Sequence, residues 1–308
     1  MTGTVYLFPG QGAQFVGMGK DFYDQYEMAR NIYGLADEKL GFSISKLCFE
    51  GPEDMLTQTI NSQPAIYTTS WAIWEVLKSL GKIKHSAQTV YAGLSLGEFT
   101  AHSACGSWGF AEGLGLVQKR AQFMQKAATD TNGAMASVLN LDFEVIDQIC
   151  QNVNGIVQSA NYNSRSQIVI SGEKKAVEEA SVKLVEAGAR KVIPLSVSGA
   201  FHSPLMAGAE NGLRDAVGKI AIRMTENAVY SNVTADVVKG EDEIRAAVVK
   251  QLTAPVKWYQ TIEKLVELGY TEYVELGPGK VLAGLIKRIN KDVNVVSINN
   301  VSDIEKLN

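Results

Sequence analysis

The chain has 308 residues, 46% of them hydrophobic and 20% charged, which is enough to bury a large core and to build a second domain. A net charge of −4 excludes a surface made to coat nucleic acid, and no apolar run reaches the roughly 20 residues that a membrane span needs. Cys48, Cys105 and Cys150 are too few and too far apart for a disulfide framework or a metal cage and fit a reducing cytoplasm. The first residues lack the basic-then-apolar pattern of a signal peptide.

Thr4 to Phe8 reads as a short buried strand that runs into Pro9-Gly10-Gln11-Gly12-Ala13-Gln14. Phe15 stands where a dinucleotide loop needs its third glycine, and Pro9 interrupts the strand-to-helix geometry, so this is read as a turn whose N–H groups face a ligand. Asp21 to Leu56 is helical and amphipathic, with breaks expected at Gly34, Gly41 and Gly51-Pro52. Gln63-Pro64 opens a long apolar helix to Leu80, whose Trp71 and Trp74 read as core. Gln88 to Ala92 is a strand. Helices follow from Ser95 to about Cys105 and from Phe110 to about Ala128.

Between that strand and helix lies Gly93-Leu94-Ser95-Leu96-Gly97, the Gly-x-Ser-x-Gly pattern of a nucleophile elbow. Such a turn is tight enough to strain the serine, and small flanking residues let strand and helix approach closely. The following helix offers free N–H groups and its positive end to an oxyanion. The alternative for Ser95 is a helix N-cap.

The middle of the chain reads as strand (Ala134 to Leu139), helix (Asp142 to Gln151), strand (Ile156 to Ala160), turn (Asn161 to Ser166), strand (Gln167 to Ser171), helix (Glu173 to Ala187) and strand (Lys191 to Leu195). That β-α-β-β-α-β order is the ferredoxin-like pattern. The expected organisation is therefore a small domain over 129–197 inserted into an α/β domain made of 1–128 and 198–308. Strands are expected again at Val229 to Asn232, Tyr273 to Leu276 and Val293 to Ser297.

A serine needs a base, and the chain has three histidines. His102 lies seven residues along the elbow helix, about 10 Å from Ser95 at 1.5 Å per residue, too far for a hydrogen bond. His85 falls at the wrong end of the preceding strand. His202, in Ser198-Gly199-Ala200-Phe201-His202-Ser203-Pro204, is the remaining candidate, in a small-residue loop that suits a site. No carboxylate announces itself as its orienting partner, and a backbone carbonyl can take that role. Arg120, taken alone, reads as an ordinary arginine on a solvated helix face, the alternative being a clamp for a substrate carboxylate. Leu276-Gly277-Pro278-Gly279-Lys280 resembles a phosphate loop, but Val274 and Val281 stand where Gly and Ser or Thr are required. It reads as the end of a strand and the start of a helix from Val281 to Ile289. Lys280, Lys287 and Arg288 read as a solvated face or as a dock for an acidic partner.

Taken together, Phe8-Pro9-Gly10-Gln11-Gly12-Ala13-Gln14, Gln63-Pro64-Ala65, Gly93-Leu94-Ser95-Leu96-Gly97-Glu98-Phe99, Arg120, Asn161-Tyr162-Asn163-Ser164, Gly199-Ala200-Phe201-His202-Ser203-Pro204, Gln251-Leu252 and Glu275-Leu276-Gly277-Pro278-Gly279 resemble the malonyl-CoA:acyl-carrier-protein transacylase family nearly end to end. The resemblance implies an α/β-hydrolase-like large domain with a parallel sheet and a ferredoxin-like insertion. It also implies a monomeric cytoplasmic acyltransferase whose partners are malonyl-CoA and acyl carrier protein, with no metal and no bound cofactor, serving fatty acid or polyketide synthesis. Ser95 is then the nucleophile and His202 its base. The backbone N–H groups of Gln11 and Leu96 form the oxyanion hole, and the backbone carbonyl of Gln251 orients His202. Arg120 pairs with the malonyl carboxylate, reversing the reading it has alone. Gln63 and Asn161 line the site, and Phe201 crowds a methyl branch. One departure is Leu94, where many members of the family carry histidine.

Overall fold

A computed structural model describes residues 3–197 and 199–307. Ser198, where the second segment of the large domain is expected to begin, lies outside the described residues, as do Met1, Thr2 and Asn308.

Nine strands form two sheets among the described residues. The first contains β1 (Thr4–Phe8), β2 (Val90–Gly93), β7 (Ala228–Val229), β8 (Glu272–Leu276) and β9 (Asn294–Ile298). Its order is β7-β2-β1-β8-β9, with every pairing parallel. A parallel sheet is covered on both faces, so its strands are apolar throughout instead of alternating. Accordingly, Val5 and Leu7 enter one core with Trp258, Ile262 and Leu282, while Tyr6 and Phe8 enter the other with Trp74 and Phe99. Trp71 and Trp74 are core residues, as expected, Trp74 packing edge-on against Tyr6.

The second sheet contains β3 (Gly133–Leu139), β4 (Val157–Ser164), β5 (Gln167–Glu173) and β6 (Lys191–Pro194). Its order is β4-β5-β3-β6, all antiparallel. With the helices Phe143–Gln151 and Lys174–Glu186 this is the β-α-β-β-α-β arrangement. Side chains alternate across it: Ala136, Val138, Ile168 and Ile170 pack with Ile146, Ala180 and Leu184, whereas Met135, Ala160 and Val169 join the core of the large sheet. The small sheet thus forms one wall over the C-terminal ends of β1 and β2.

Three expectations are corrected. Gly34 does not break its helix, which runs Glu27–Leu40. A single exposed glycine costs only about 1 kcal/mol, and five buried residues, Ala29, Ile32, Tyr33, Ala36 and Leu40, hold that helix to the core. The apolar helix begins at Thr59, before Gln63-Pro64, and takes Pro64 into its interior; burial of its residues on every side from Asn61 to Trp74 outweighs the hydrogen bond that proline cannot donate. Asn161 to Ser164 is not a turn but the end of β4. Its polar run hides the strand period, and two register irregularities re-aim its side chains. This end is paired on its other side as well, Tyr162 N donating to Val256 O at 2.9 Å and Val256 N to Ala160 O at 2.8 Å.

Candidate active site

The strand–elbow–helix geometry follows from two glycines. A Cβ on Gly93 would lie 2.0 Å from the carbonyl carbon of Gly97, and one on Gly97 would lie 2.0 Å from the carbonyl oxygen of Phe8. Only hydrogen fits at either place, and β1, β2 and the helix Leu96–Cys105 close around the turn. Ser95 sits at its apex with φ 54° and ψ −105°, a sparsely populated region that costs about 1–3 kcal/mol. A side chain far along the chain holds it there. Asn232 accepts from Ser95 N through Oδ1 at 2.6 Å and donates from Nδ2 to Gly93 O at 2.8 Å, clasping the elbow on both sides.

Ser95 Oγ lies 2.8 Å from His202 Nε2, and His202 Nδ1 lies 2.7 Å from the carbonyl of Gln251. A carbonyl only accepts, so Nδ1 carries the proton and Nε2 is free to receive one from the serine. His202 also has positive φ, 57°, and its carbonyl accepts from Gln158 Nε2 at 2.8 Å. Burial, then the charge of Arg120, depress its pKa to about 4, so the ring is neutral at pH 7. His102 is buried, bonded to Ser107 and packed on Trp108, and His85 is bonded to Tyr91. Neither reaches Ser95.

Arg120 is 1% exposed, so the solvated-face reading is wrong. The arginine is on the inner face of the helix Phe110–Asp130, where its apolar neighbours carry it into the core. Nη2 donates to Ser95 Oγ at 2.9 Å and to Gln251 Oε1 at 2.8 Å, and Nη1 donates to Gln63 Oε1 at 2.6 Å. The guanidinium also lies over the Phe99 ring at 5.3 Å. No carboxylate bonds to it among the described residues, and its Nε–H has no acceptor. Burial lowers its pKa to about 10, opposed by nearby Glu98, so it remains cationic at neutral pH.

A cavity of about 370 Å³ opens over Ser95, Arg120 and His202. Asn161 and Asn163 from β4, Gln167 from β5, and Gln11 and Gln14 from the N-terminal turn supply its polar wall. Met124, Met135, Val169, Leu195, Val197 and Phe201 supply the apolar one, with Leu94, Val281 and Leu285 also lining it. Leu94 therefore presents an aliphatic side chain where a histidine would present a polar one. Gln63 corrects another expectation: it is fully buried and is not among the residues lining the cavity. Sitting within the helix Thr59–Ser79, it faces the back of Arg120 and holds it. Leu96 is the first residue of its helix, and neither its N–H nor that of Gln11 meets a backbone acceptor among the described residues outside helices and strands. The Gly277-Pro278-Gly279 turn is no phosphate site. Glu275 accepts from the N–H groups of Leu282 and Ala283 at 2.9 and 3.0 Å, so a carboxylate already fills that helix terminus.

Asn232, Glu98 and the side chain of Gln251 were not legible as site residues in the sequence. The acidic residue three positions after Ser95 is the one local signal that points to any of them.

A histidine-activated serine at a strained elbow, beside a cavity and an anion-ready guanidinium, is the arrangement of a covalent acyl-transfer site. The model of the family described as "Acyl transferase domain" matches residues 5–305; the chain belongs to that family and is an acyltransferase. It is 41% identical to the malonyl CoA-acyl carrier protein transacylase of Bacillus subtilis (strain 168), over 99% of this chain and 96% of that protein. Among solved structures it is similar to an acyl carrier protein S-malonyltransferase from Vibrio cholerae, with TM-score 0.95, 36% identity and 100% of each chain covered. It is equally similar to a malonyl-transacylase in complex with its type II PKS acyl-carrier protein, with TM-score 0.95, 35% identity and 99% of each chain covered.

Proposed function

We propose that this acyltransferase moves a malonyl group from malonyl-CoA to the phosphopantetheine thiol of an acyl carrier protein, by a ping-pong route through an ester on Ser95. His202 Nε2 takes the Ser95 proton as Oγ attacks the thioester carbonyl. The oxyanion meets the N–H groups of Gln11 and Leu96, the latter at the positive end of a helix. Collapse expels the CoA sulfur, which takes the proton from Nε2. The carrier thiol then gives its proton to Nε2 and attacks the ester carbonyl, and the ester C–O bond breaks as Ser95 Oγ leaves with that proton. The route uses no metal and no bound cofactor.

The observation that carries the malonyl reading is Arg120, a buried cation bonded, among the described residues, to amide oxygens and to the nucleophile itself. Binding an acyl chain with a terminal carboxylate gives this cation its missing charge partner, while a neutral acetyl group leaves it without one. The relatives' names and the carrier-protein complex among the similar structures support the same donor and acceptor. We further read the protein as a cytoplasmic monomer supplying fatty acid or polyketide synthesis, with residues 129–197 as its inserted domain; three free cysteines fit that compartment. Incubation with malonyl-CoA and a holo carrier protein tests the proposal. The carrier should gain the mass of one malonyl group, whereas free malonate with unchanged carrier makes the enzyme a hydrolase.

A further inference from the structure

Glu98 is a buried acid that the scheme above leaves unused, and burial raises its pKa to about 7. It is fully buried in the first turn of the elbow helix. Its Oε2 accepts from Gln251 Nε2 at 2.5 Å and from Asn232 N at 3.1 Å, and its Oε1 has no partner among the described residues. Gln251 is the junction. Its amide nitrogen also donates to Ser95 O at 3.0 Å, its amide oxygen accepts from Arg120, and its backbone carbonyl orients His202.

An amide has two nearly isosteric orientations, and its neighbours decide between them. If the Gln251 amide turned over, its oxygen would face the Glu98 carboxylate and the Ser95 carbonyl, two acceptors. Its NH₂ would face the Arg120 guanidinium, which only donates. The Ser95 carbonyl and Glu98 Oε2 both favour the observed orientation, because each accepts from the Gln251 nitrogen.

We propose that Glu98 is a positioning residue for the acyl clamp: by fixing the Gln251 amide with its nitrogen toward the elbow, it keeps an acceptor on Arg120 and so sets the guanidinium where the substrate carboxylate arrives. The inference rests on the reading of Arg120 as the malonyl clamp. It differs from a packing role because only a carboxylate-bearing donor forms an ion pair with Arg120. Misplacement of the guanidinium lowers malonyl transfer selectively, whereas a loosened elbow slows every donor alike.

The test compares two near-isosteric variants, Glu98→Gln and Glu98→Met, by their ratio of malonyl to acetyl transfer to the carrier protein. Gln keeps an oxygen for the two bonds from Gln251 and Asn232; Met fills the space and accepts neither. Glu98→Met should lower the ratio by about ten- to hundredfold, the scale of a displaced positioning group, and Glu98→Gln should recover most of it. If Glu98→Met does not fold, Glu98→Leu, which also accepts no hydrogen bond and leaves Gln251 in place, should lower the ratio in the same way. Arg120→Ala is measured alongside. If Arg120→Ala lowers the ratio and the folded methionine or leucine variant leaves it unchanged, the role of Glu98 is refuted. If Arg120→Ala itself leaves the ratio unchanged, the clamp reading fails, and the positioning role fails with it.

Discussion

Replacing Asn232 by alanine should cost both stability and rate, although Asn232 is neither nucleophile nor base. Its side chain makes two bonds across the elbow, at 2.6 Å to Ser95 N and 2.8 Å to Gly93 O. Each is worth about 1 kcal/mol net, and a buried N–H left without an acceptor adds about 1–3 kcal/mol. The total is about 3–5 kcal/mol of folding stability, enough to lower Tm by several degrees in a chain of this length. The rate effect has a separate origin. Ser95 is held in a conformation costing about 1–3 kcal/mol, and without the clasp the turn can relax and carry Oγ off His202 Nε2. A displacement near 1 Å costs on the order of 10²-fold. Calorimetry reads the first effect, and single-turnover acylation of Ser95 by malonyl-CoA reads the second. Wild-type Tm together with a wild-type acylation rate would refute the argument that Asn232 holds the elbow in its strained form.

Arg120→Ala should impair malonyl transfer far more than acetyl transfer. Loss of a desolvated charge pair is worth about 2–5 kcal/mol, or roughly thirty- to several-thousandfold in the ratio of the two rates, and equal losses would remove Arg120 from substrate binding. The acid limb of kcat/KM, which reports the base in the free enzyme, should have its midpoint near 4, the depressed value for His202, and not near 6.5. Removing the positive charge at 120 should move that limb upward, because Arg120 is one of its causes; a limb already at 6.5 in the wild type contradicts the buried, neutral base. Burial also depresses His102, to about 3. The unfolded chain takes up protons below pH 6.5 while the folded chain keeps both rings neutral. Their stabilising effect is therefore full above pH 6.5 and declines as pH falls through about 4 toward 3, which an acid denaturation series on the wild type measures.

What could be read from the sequence was local. Thr4–Phe8 and Val281–Ile289 are runs whose apolar pattern and flanking breakers coincide with the element boundaries. Gly93-Leu94-Ser95-Leu96-Gly97 works as an elbow because its two glycines sit where three backbones meet. His202 was found by eliminating two histidines, and the structure places it on Ser95. Arg120 needed the family resemblance, because a single arginine carries no mark of which way its helix face points. The support beneath the site was not legible for a physical reason. Asn232 and Gln251 stand 134 and 153 residues from Glu98, and residues so far apart leave no periodic trace of their pairing. The resemblance puts Gln63 in the lining of the site, whereas its helix begins earlier, at Thr59, and buries it behind Arg120. Asn161 to Ser166 reads as a turn because its polar residues lack strand alternation, and the pairing of Asn161 with Val256 comes from a distant loop.

In the proposed route Ser95 carries the acyl group between donor and acceptor. Intact-protein mass spectrometry after brief exposure to malonyl-CoA tests it most directly, with Ser95→Ala in parallel. The wild type should gain one malonyl group, the variant none, and the adduct should disappear when a holo carrier protein is added. An adduct that persists in Ser95→Ala, or transfer to the carrier with no wild-type adduct at any time, would contradict that route.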